Sequence, residues 1–241
     1  MSDANQVTAG LTTRYLDRAS GAELARFGIA QRYLLHNQRI TADGVPLSNR
    51  FSDLLLQASI GVVPDWTLDT SMQFNPDTDR LVRTITSARW SPGPLRTLYA
   101  SHRLKRGSSE QLALGWQWPL AALWGGQGAD SGPERVQGQG KGSGRWYTVG
   151  RLNYSLQDRK LVDTVVGFEY DSCCWIGRVV LERLQSSVTT SNTRLLFQIE
   201  FVGFSRLSLG ASPLETLRRN VPRYQYLREQ VSTPSRFSNY D

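Results

Sequence analysis

The sequence is poor in the residues on which catalysis and metal binding most often depend. It holds two histidines and two cysteines in 241 residues. His36 and His102 are far apart and Cys173 and Cys174 are adjacent, so the four lack the ligand spacing of a zinc site. The Gly-x-Ser-x-Gly motif of serine hydrolases is absent, and so is the phosphate-binding loop that a nucleotide-driven pump would need. We therefore predict no enzyme activity, no catalytic residue, no metal and no cofactor.

Long hydrophobic runs are also absent. A membrane-spanning helix needs about 18–20 consecutive apolar residues, whereas the longest mostly apolar stretch here runs only from Trp118 to Trp124. The first residues, Met1–Asn5, are polar, and neither a basic region nor an apolar segment follows them. We therefore expect no membrane-spanning helix and no signal peptide in this chain.

Lysine is scarce as well, although the chain is basic. Only Lys105, Lys141 and Lys160 are lysines among 28 basic residues, which outnumber 21 acidic ones and give a net charge of +7. Arginine binds phosphates and carboxylates in bidentate geometry, so an anionic partner fits; a GC-rich genome would enrich arginine equally. The arginines are spread along the chain rather than clustered with stacking aromatics, which argues against nucleic acid.

What the sequence does contain is an alternation of apolar and polar residues with a period of two, which is typical of β-strands. In the segment Thr193–Phe204 the two faces are Leu195, Phe197, Ile199 and Phe201 against Arg194, Gln198 and Glu200. We count about eleven such strands in residues 1–204, and many have the ~9–11 residues of a membrane-spanning strand. Two long loops interrupt them, His36–Arg50 and the glycine-rich insertion Ala121–Gly144.

The alternation stops after Phe204, so we assign residues 205–241 to a C-terminal tail. Ser212-Pro213-Leu214-Glu215 matches a capping box with proline at the first helical position. This motif predicts a short helix over Pro213–Asn220, followed by an irregular basic tail.

Two all-β architectures compete, a soluble β-sandwich and an antiparallel transmembrane β-barrel. The strands are longer than those of a sandwich. Aromatic residues also lie near the strand ends, as in the girdles of outer-membrane barrels: Tyr15, Trp66, Trp90, Trp118, Trp146 and Trp175. We favour the barrel. The missing signal peptide, the odd strand count and a cysteine pair that cannot bridge itself without strain together predict the C-terminal part of a longer protein.

One segment resembles a known family. Gly167–Trp175, which ends in Cys-Cys-Trp, is similar to the C-terminal region of the LptD family, the lipopolysaccharide-assembly proteins of the Gram-negative outer membrane. The likeness continues in the residues that follow: Arg178, Glu182, Arg183, the strand Leu196–Phe204 and the tail Leu209–Tyr224. It covers essentially the whole chain and is strongest from Arg145 to Tyr224. The insertion Ala121–Gly144 departs from the family pattern, which has a tight turn there.

The resemblance implies a barrel of about 26 strands, to which this chain contributes about the last eleven. It implies a translocon component that inserts lipopolysaccharide into the outer leaflet. The implied partners are the LptE plug lipoprotein, the barrel-assembly machinery, and the LptA periplasmic bridge, reached through an N-terminal domain outside this chain. Cys173 and Cys174 would form disulfides with cysteines of that domain, although two free thiols in a turn are the alternative.

The resemblance also assigns roles to strand residues. The last strand, Thr193–Phe204, would be one lip of a lateral gate with Leu195, Phe197, Ile199 and Phe201 on one face; an ordinary closing strand is the alternative. The residues expected to face the lumen are Arg14, Arg32, Arg151, Arg178, Arg194, Glu169, Glu182 and Glu200. Their arginines would contact lipopolysaccharide phosphates or the plug, or would pair with the glutamates. The alternative functions are another outer-membrane barrel, either a porin or a barrel enzyme, and a soluble β-sandwich binder.

Overall fold

The computed structural model describes residues 3, 5–41, 44, 46, 48–121, 144–172, 174–185, 190–201 and 205–227. Twelve strands form one antiparallel sheet in which their order follows the sequence, and one short helix follows the last strand. No helix in these ranges is long and apolar enough to cross a membrane. The elements are β1 (Gln6–Leu16), β2 (Glu23–Leu34), β3 (Leu54–Ile60), β4 (Trp66–Asn75), β5 (Arg80–Gly93), β6 (Arg96–Lys105), β7 (Ser109–Pro119), β8 (Arg145–Ser155), β9 (Lys160–Asp171), β10 (Trp175–Gln185), β11 (Ser191–Phe201), β12 (Ser205–Leu209) and α1 (Pro213–Asn220).

The chain divides into two compact units. The first consists of Met1–Trp90, Ala100–Ala113 and Ser155–Lys160, and the second of Ser91–Tyr99, Leu114–Tyr154 and Leu161–Asp241. In the first unit, β1 to β4 pair as successive antiparallel neighbours, and β4 pairs with β5 through a register shift at Gln73/Phe74.

In the second unit, β9 to β12 pair in the same way, and burial alternates along each of β9 to β11. On β10, Ile176, Arg178, Val180 and Glu182 are buried, whereas Val179 and Leu181 are exposed. We call the buried side of this unit the inner face and the exposed side the outer face.

The core of the second unit lies between the inner face and residues 210–227, which we call the C-terminal strap. One apolar cluster joins strands β8 to β11 to the strap: Val149, Val165, Val180, Leu196, Leu217 and Val221. A second cluster joins Leu95, Tyr147 and Ile176 to Leu227. The strap is therefore the second layer of this half of the fold.

Helix α1 forms where its capping residues predict. The Ser212 side chain accepts a hydrogen bond from the Glu215 backbone N–H at 3.5 Å, and Pro213 occupies the first turn. Glu215 lies near the positive end of the helix dipole, and Arg218 and Arg219 lie near the negative end. The predicted helix over Pro213–Asn220 is confirmed.

The structure confirms the all-β antiparallel fold and corrects the strand count. The described residues form twelve strands rather than eleven, because β12 lies within the predicted tail, beyond the expected boundary at residue 204. Residues 202–204, at the end of the predicted last strand, lie outside the described residues. Most of the predicted glycine-rich insertion, residues 122–143, lies outside the described residues.

Candidate functional site on the last strands

The second unit buries a cluster of charged side chains on its inner face. The Arg178 guanidinium lies at the centre: its Nε donates to Glu169 Oε1 at 2.8 Å and its Nη1 donates to Glu200 Oε2 at 2.6 Å. Arg178 and Glu169 are 2% and 0% exposed, and Glu200 is 18% exposed. Glu200 also accepts from Arg206 Nε at 3.2 Å, at the edge of the sheet. Among the described residues, one central arginine therefore joins strands β9, β10 and β11.

The register of the sheet explains this arrangement. Glu169 lies directly opposite Arg178 across the β9–β10 pair. Gln198 is the residue opposite Arg178 on β11, and Glu200 lies two positions further along the same face. Such diagonal neighbours lie about 7–8 Å apart at the backbone, a distance that an arginine side chain can bridge.

A tyrosine from the strap completes the cluster. The Tyr224 hydroxyl donates to Glu169 Oε1 at 2.6 Å, so this oxygen accepts from both Tyr224 and Arg178. Burial, reinforced by the negative charge of Glu169, raises the pKa of Tyr224 well above its ordinary value. The phenol is therefore held in its neutral, donating form.

Glutamines of the inner face bind the backbone of the strap. Gln117 Nε2 donates to the Gln225 carbonyl at 2.8 Å, and Gln117 Oε1 accepts from the Gln225 N–H at 2.9 Å. Gln225 Oε1 accepts from the Leu95 N–H at 2.6 Å, and Gln198 Oε1 accepts from the Leu214 N–H at 3.2 Å. These contacts satisfy polar backbone groups that would otherwise be buried without partners.

The residues predicted to face the lumen have different surroundings. Glu169, Arg178 and Glu200 come together as described. Arg178 therefore pairs with glutamates, which is one of the two roles that the sequence leaves open for the lumen-facing arginines. Arg151 Nη1 donates to the Asn220 carbonyl of the strap at 3.3 Å. Glu182 is buried and lies opposite the exposed Arg194 in the β10–β11 register.

The other two predicted lumen residues, Arg14 and Arg32, belong to the first unit. Arg14 Nε lies 3.8 Å from Glu23 Oε2. Arg32 lines a cavity of about 570 Å³, which is bounded by residues of β1 to β4 and the β2–β3 loop. Its Nε is buried and has no hydrogen-bond partner among the described residues.

The strand predicted to be the gate lip is not the edge of this sheet. Strand β11 pairs with β10 on one side and with β12 on the other. Leu195, Phe197 and Phe201 are exposed on the outer face, and Ile199 is partly buried. On β12 the apolar side chains Leu207 and Leu209 continue this face, so the described edge is β12.

The cysteine pair lies in the short link between β9 and β10. Cys174 is solvent-exposed, and Cys173 lies outside the described residues. Aromatic side chains surround this end of the two strands: Tyr170 contacts Trp146 and Trp175 at centroid distances of 4.9 and 5.2 Å. The pairing of either cysteine stays a prediction.

Sequence reasoning gave no role to the strap. The buried residues Leu214, Leu217 and Val221 and the half-buried Tyr224 recur at intervals of three and four, as on one face of an amphipathic helix. That spacing could have revealed a docking face, although α1 itself ends at Asn220. The partners of Tyr224 and Gln225 carry no local signal, because Glu169 and Gln117 are 55 and 108 residues away in sequence.

Comparisons with known proteins agree on one family. The family model described as LptD, LPS transport system D, matches residues 1–148. The LPS-assembly protein LptD of Paracidovorax citrulli (strain AAC00-1) is 60% identical over 242 residues, and that of Acidovorax sp. (strain JS42) is 58% identical over 248 residues. The LPS-assembly protein LptD of Thiobacillus denitrificans (strain ATCC 25259 / T1) is 35% identical over 97% of this chain. The chain spans 29% of the length of each of these relatives.

Replacement of the central arginine tests the charge cluster. Arg178→Gln leaves Glu169 buried without its cation, so we expect the free energy of unfolding to fall by about 3–5 kcal/mol. Arg206→Gln is the matched control, because Arg206 binds the same Glu200 but its side chain is 44% exposed; its loss should stay below about 1 kcal/mol. Denaturant unfolding in detergent, followed by tryptophan fluorescence, measures both. Equal losses would contradict a central role for Arg178.

The raised pKa of Tyr224 predicts a loss of stability in alkali. Below about pH 10 the phenol is neutral in both the folded and the unfolded chain, so its contribution is constant. Above that pH the unfolded chain ionises first, and stability falls as pH rises toward the folded-state pKa. Between pH 9 and 11 the unfolding midpoint should fall further in the wild type than in Tyr224→Phe, which lacks the ionisable phenol at this position. Parallel pH profiles would show that Tyr224 is not held neutral.

Proposed function

Since the chain belongs to the LptD family, we propose that it forms the C-terminal part of an outer-membrane β-barrel that delivers lipopolysaccharide to the outer leaflet. The observation that carries the proposal is that the second unit exposes apolar side chains and buries charged ones, the opposite of a protein in water. Its inner face buries arginine and glutamate, whereas its outer face exposes a continuous row of apolar side chains. This row includes Phe168, Val179, Leu181, Leu195, Phe197, Phe201, Leu207 and Leu209. A row of this kind is unfavourable in water and suits the hydrocarbon layer of a membrane.

The positions of the aromatic side chains support a membrane location. Trp146, Tyr170 and Trp175 cluster at the end of β8, β9 and β10 that carries the cysteine link. In the first unit, Trp66 and Trp90 stack at 5.9 Å near the ends of their strands. Tryptophan and tyrosine favour the boundary between lipid headgroups and hydrocarbon, so these clusters would mark that boundary.

The open edges of the sheet support a larger barrel. Strands β1 and β12 are the first and last strands in the described order. An unpaired edge in hydrocarbon leaves N–H and C=O groups without partners, at several kcal/mol each. Further strands would pair with these edges, and relatives of this family are long enough to supply them. The edge at β12, rather than β11, would then be this chain's lip of the lateral gate.

The partners follow from the family and are part of the proposal. LptE would fill the lumen, the barrel-assembly machinery would insert the barrel, and LptA would deliver lipopolysaccharide to a periplasmic domain outside this chain. The outer face would contact lipid, and the remaining lumen-facing arginines would meet the plug or the phosphates of lipopolysaccharide. We propose no catalytic step, so the energy for transport would come from another component.

Depletion of the protein in its own host tests the function. We expect newly labelled lipopolysaccharide to become inaccessible to a surface-binding antibody on intact cells, and to accumulate within, because its exit route is lost. Re-expression of the wild type at its natural length should restore access. Depletion of a porin from the same membrane is the control and should leave access unchanged.

The alternatives predict different results. Normal surface lipopolysaccharide together with reduced uptake of small solutes would identify a porin and refute the proposal. Recovery of the protein in the soluble fraction without detergent would identify a soluble β-sandwich.

We further propose that Cys173 and Cys174 form disulfides with cysteines outside this chain. A blot of outer membranes with an antibody against residues 222–241 should show a band well above 27 kDa that migrates more slowly after reduction, because a long-range disulfide keeps the denatured chain compact. The double variant Cys173→Ser, Cys174→Ser should lose the shift, and the neighbouring variant Ser172→Ala should keep it. A wild-type band that does not move on reduction would contradict the disulfides.

A further inference from the structure

The edge strand β12 has almost nothing of its own to hold it in place. It is five residues long, from Ser205 to Leu209, and its only strand partner in the described part of the sheet is β11. All five residues are exposed. A short edge strand without buried side chains is marginal by itself, so its position must depend on what is connected to it.

The strap is connected to it directly. Strand β12 ends at Leu209, and Gly210 follows with a φ of +82°, a backbone conformation that favours glycine. Helix α1 then begins at Pro213. Three residues therefore separate the exposed edge strand from a segment that is deeply buried.

The burial of the strap contrasts with the exposure of β12. Leu214, Leu217, Val221 and Leu227 are 1%, 0%, 3% and 0% exposed. Burial of such side chains contributes far more than the five-residue ladder of β12 can. The docking of the strap therefore dominates the stability of this end of the chain.

The strap contacts the inner face at successive strands. Side chains of β11, β9, β8 and β7 bind it in turn through Gln198, Glu169, Arg151 and Gln117. Leu95, just before β6, binds its Gln225 side chain. The contacts thus extend from the strand next to β12 to a residue that precedes β6.

Glycines lie on the inner face where the strap approaches closely. A Cβ atom on Gly167 of β9 would lie 3.3 Å from Leu217 Cδ2, and one on Gly115 of β7 would lie 3.2 Å from Pro222 Cδ. Glycine within a strand often marks such a close approach. The inner face therefore lacks side chains at two positions, on β7 and on β9, where the strap packs closely against it.

We propose that the C-terminal strap is an internal clamp that holds the edge strand β12 in position. The strap fixes the C-terminal end of β12 to strands β7 to β11, so β12 keeps its register on β11 and presents a rigid edge for pairing with a further strand. The clamp acts through packing and hydrogen bonds within this chain. It goes beyond the transport function and would operate whether or not the barrel moves lipopolysaccharide.

Amide hydrogen exchange in the full-length protein tests the clamp. Leu217→Ala removes buried contacts of the strap, and we expect exchange to accelerate at least about tenfold in residues 213–227 and, with them, in Ser205–Leu209 of β12. Arg219→Ala is the matched control, because this side chain lies on the same helix and is 80% exposed; it should change neither segment. Strand β1, in the other unit, is the internal reference and should exchange at the same rate in all variants.

Two outcomes would overturn the proposal. One is faster exchange of the strap in Leu217→Ala with unchanged exchange of β12, and the other is fast exchange of the strap already in the wild type. If Leu217→Ala does not assemble, Tyr224→Phe decides between the same outcomes, since it removes only the hydroxyl bound to Glu169. There we expect an acceleration of about threefold to tenfold in both segments. Because exchange is measured without transport, failure of the clamp and failure of the proposed function are distinguishable.

Discussion

The Arg178 guanidinium is a full charge that is only 2% exposed, and the organisation of the second unit depends on neutralising it. A buried cation without partners is very unfavourable, so the register of β9, β10 and β11 must bring carboxylates to it. Glu169 arrives from directly opposite and Glu200 from the diagonal position. Their burial requires a cover, and the strap supplies it together with the Tyr224 hydroxyl. Strand register, charge balance and the position of the strap are therefore one constraint rather than three.

The backbone of the strap explains why glutamines of the inner face bind it. After Asn220 the chain is no longer helical, so its backbone groups lack the regular partners that a helix provides, although the Tyr224 N–H donates to the Val221 carbonyl at 3.3 Å. An apolar inner face would bury those groups unsatisfied. Gln117 offers a donor and an acceptor on one side chain and binds both backbone groups of Gln225. A polar inner face is thus what allows irregular chain to pack against a sheet.

The sequence predicts the local features of this fold and not the long-range ones. Alternation identifies the long strands, and the capping residues locate α1, because both signals lie within a few neighbouring positions. Strand β12 was missed, since five residues with only Leu207 and Leu209 on the apolar face are too short for a period to be recognised. The choice of Glu169 and Glu200 as partners of Arg178, and of Tyr224 as partner of Glu169, depends on register between distant segments, which no local pattern encodes.

The buried charges also help to specify the register of the strands, which apolar side chains alone do not. When the outer face of a sheet is apolar, apolar side chains alone do not distinguish that face from an apolar interior. A shift of β10 by one residue would move Arg178 to the outer face and bring Val179 opposite Glu169, because the side-chain period is two. Such a shift places a charge in an apolar environment and removes the cation from two carboxylates, so it is strongly disfavoured. We infer that the cluster contributes to the choice of register more than to stability, since apolar residues of similar volume often stabilise a fold at least as well as a buried ion pair. The strap reinforces that choice, because Tyr224 meets Glu169 only when β9 presents its charged side chains inward.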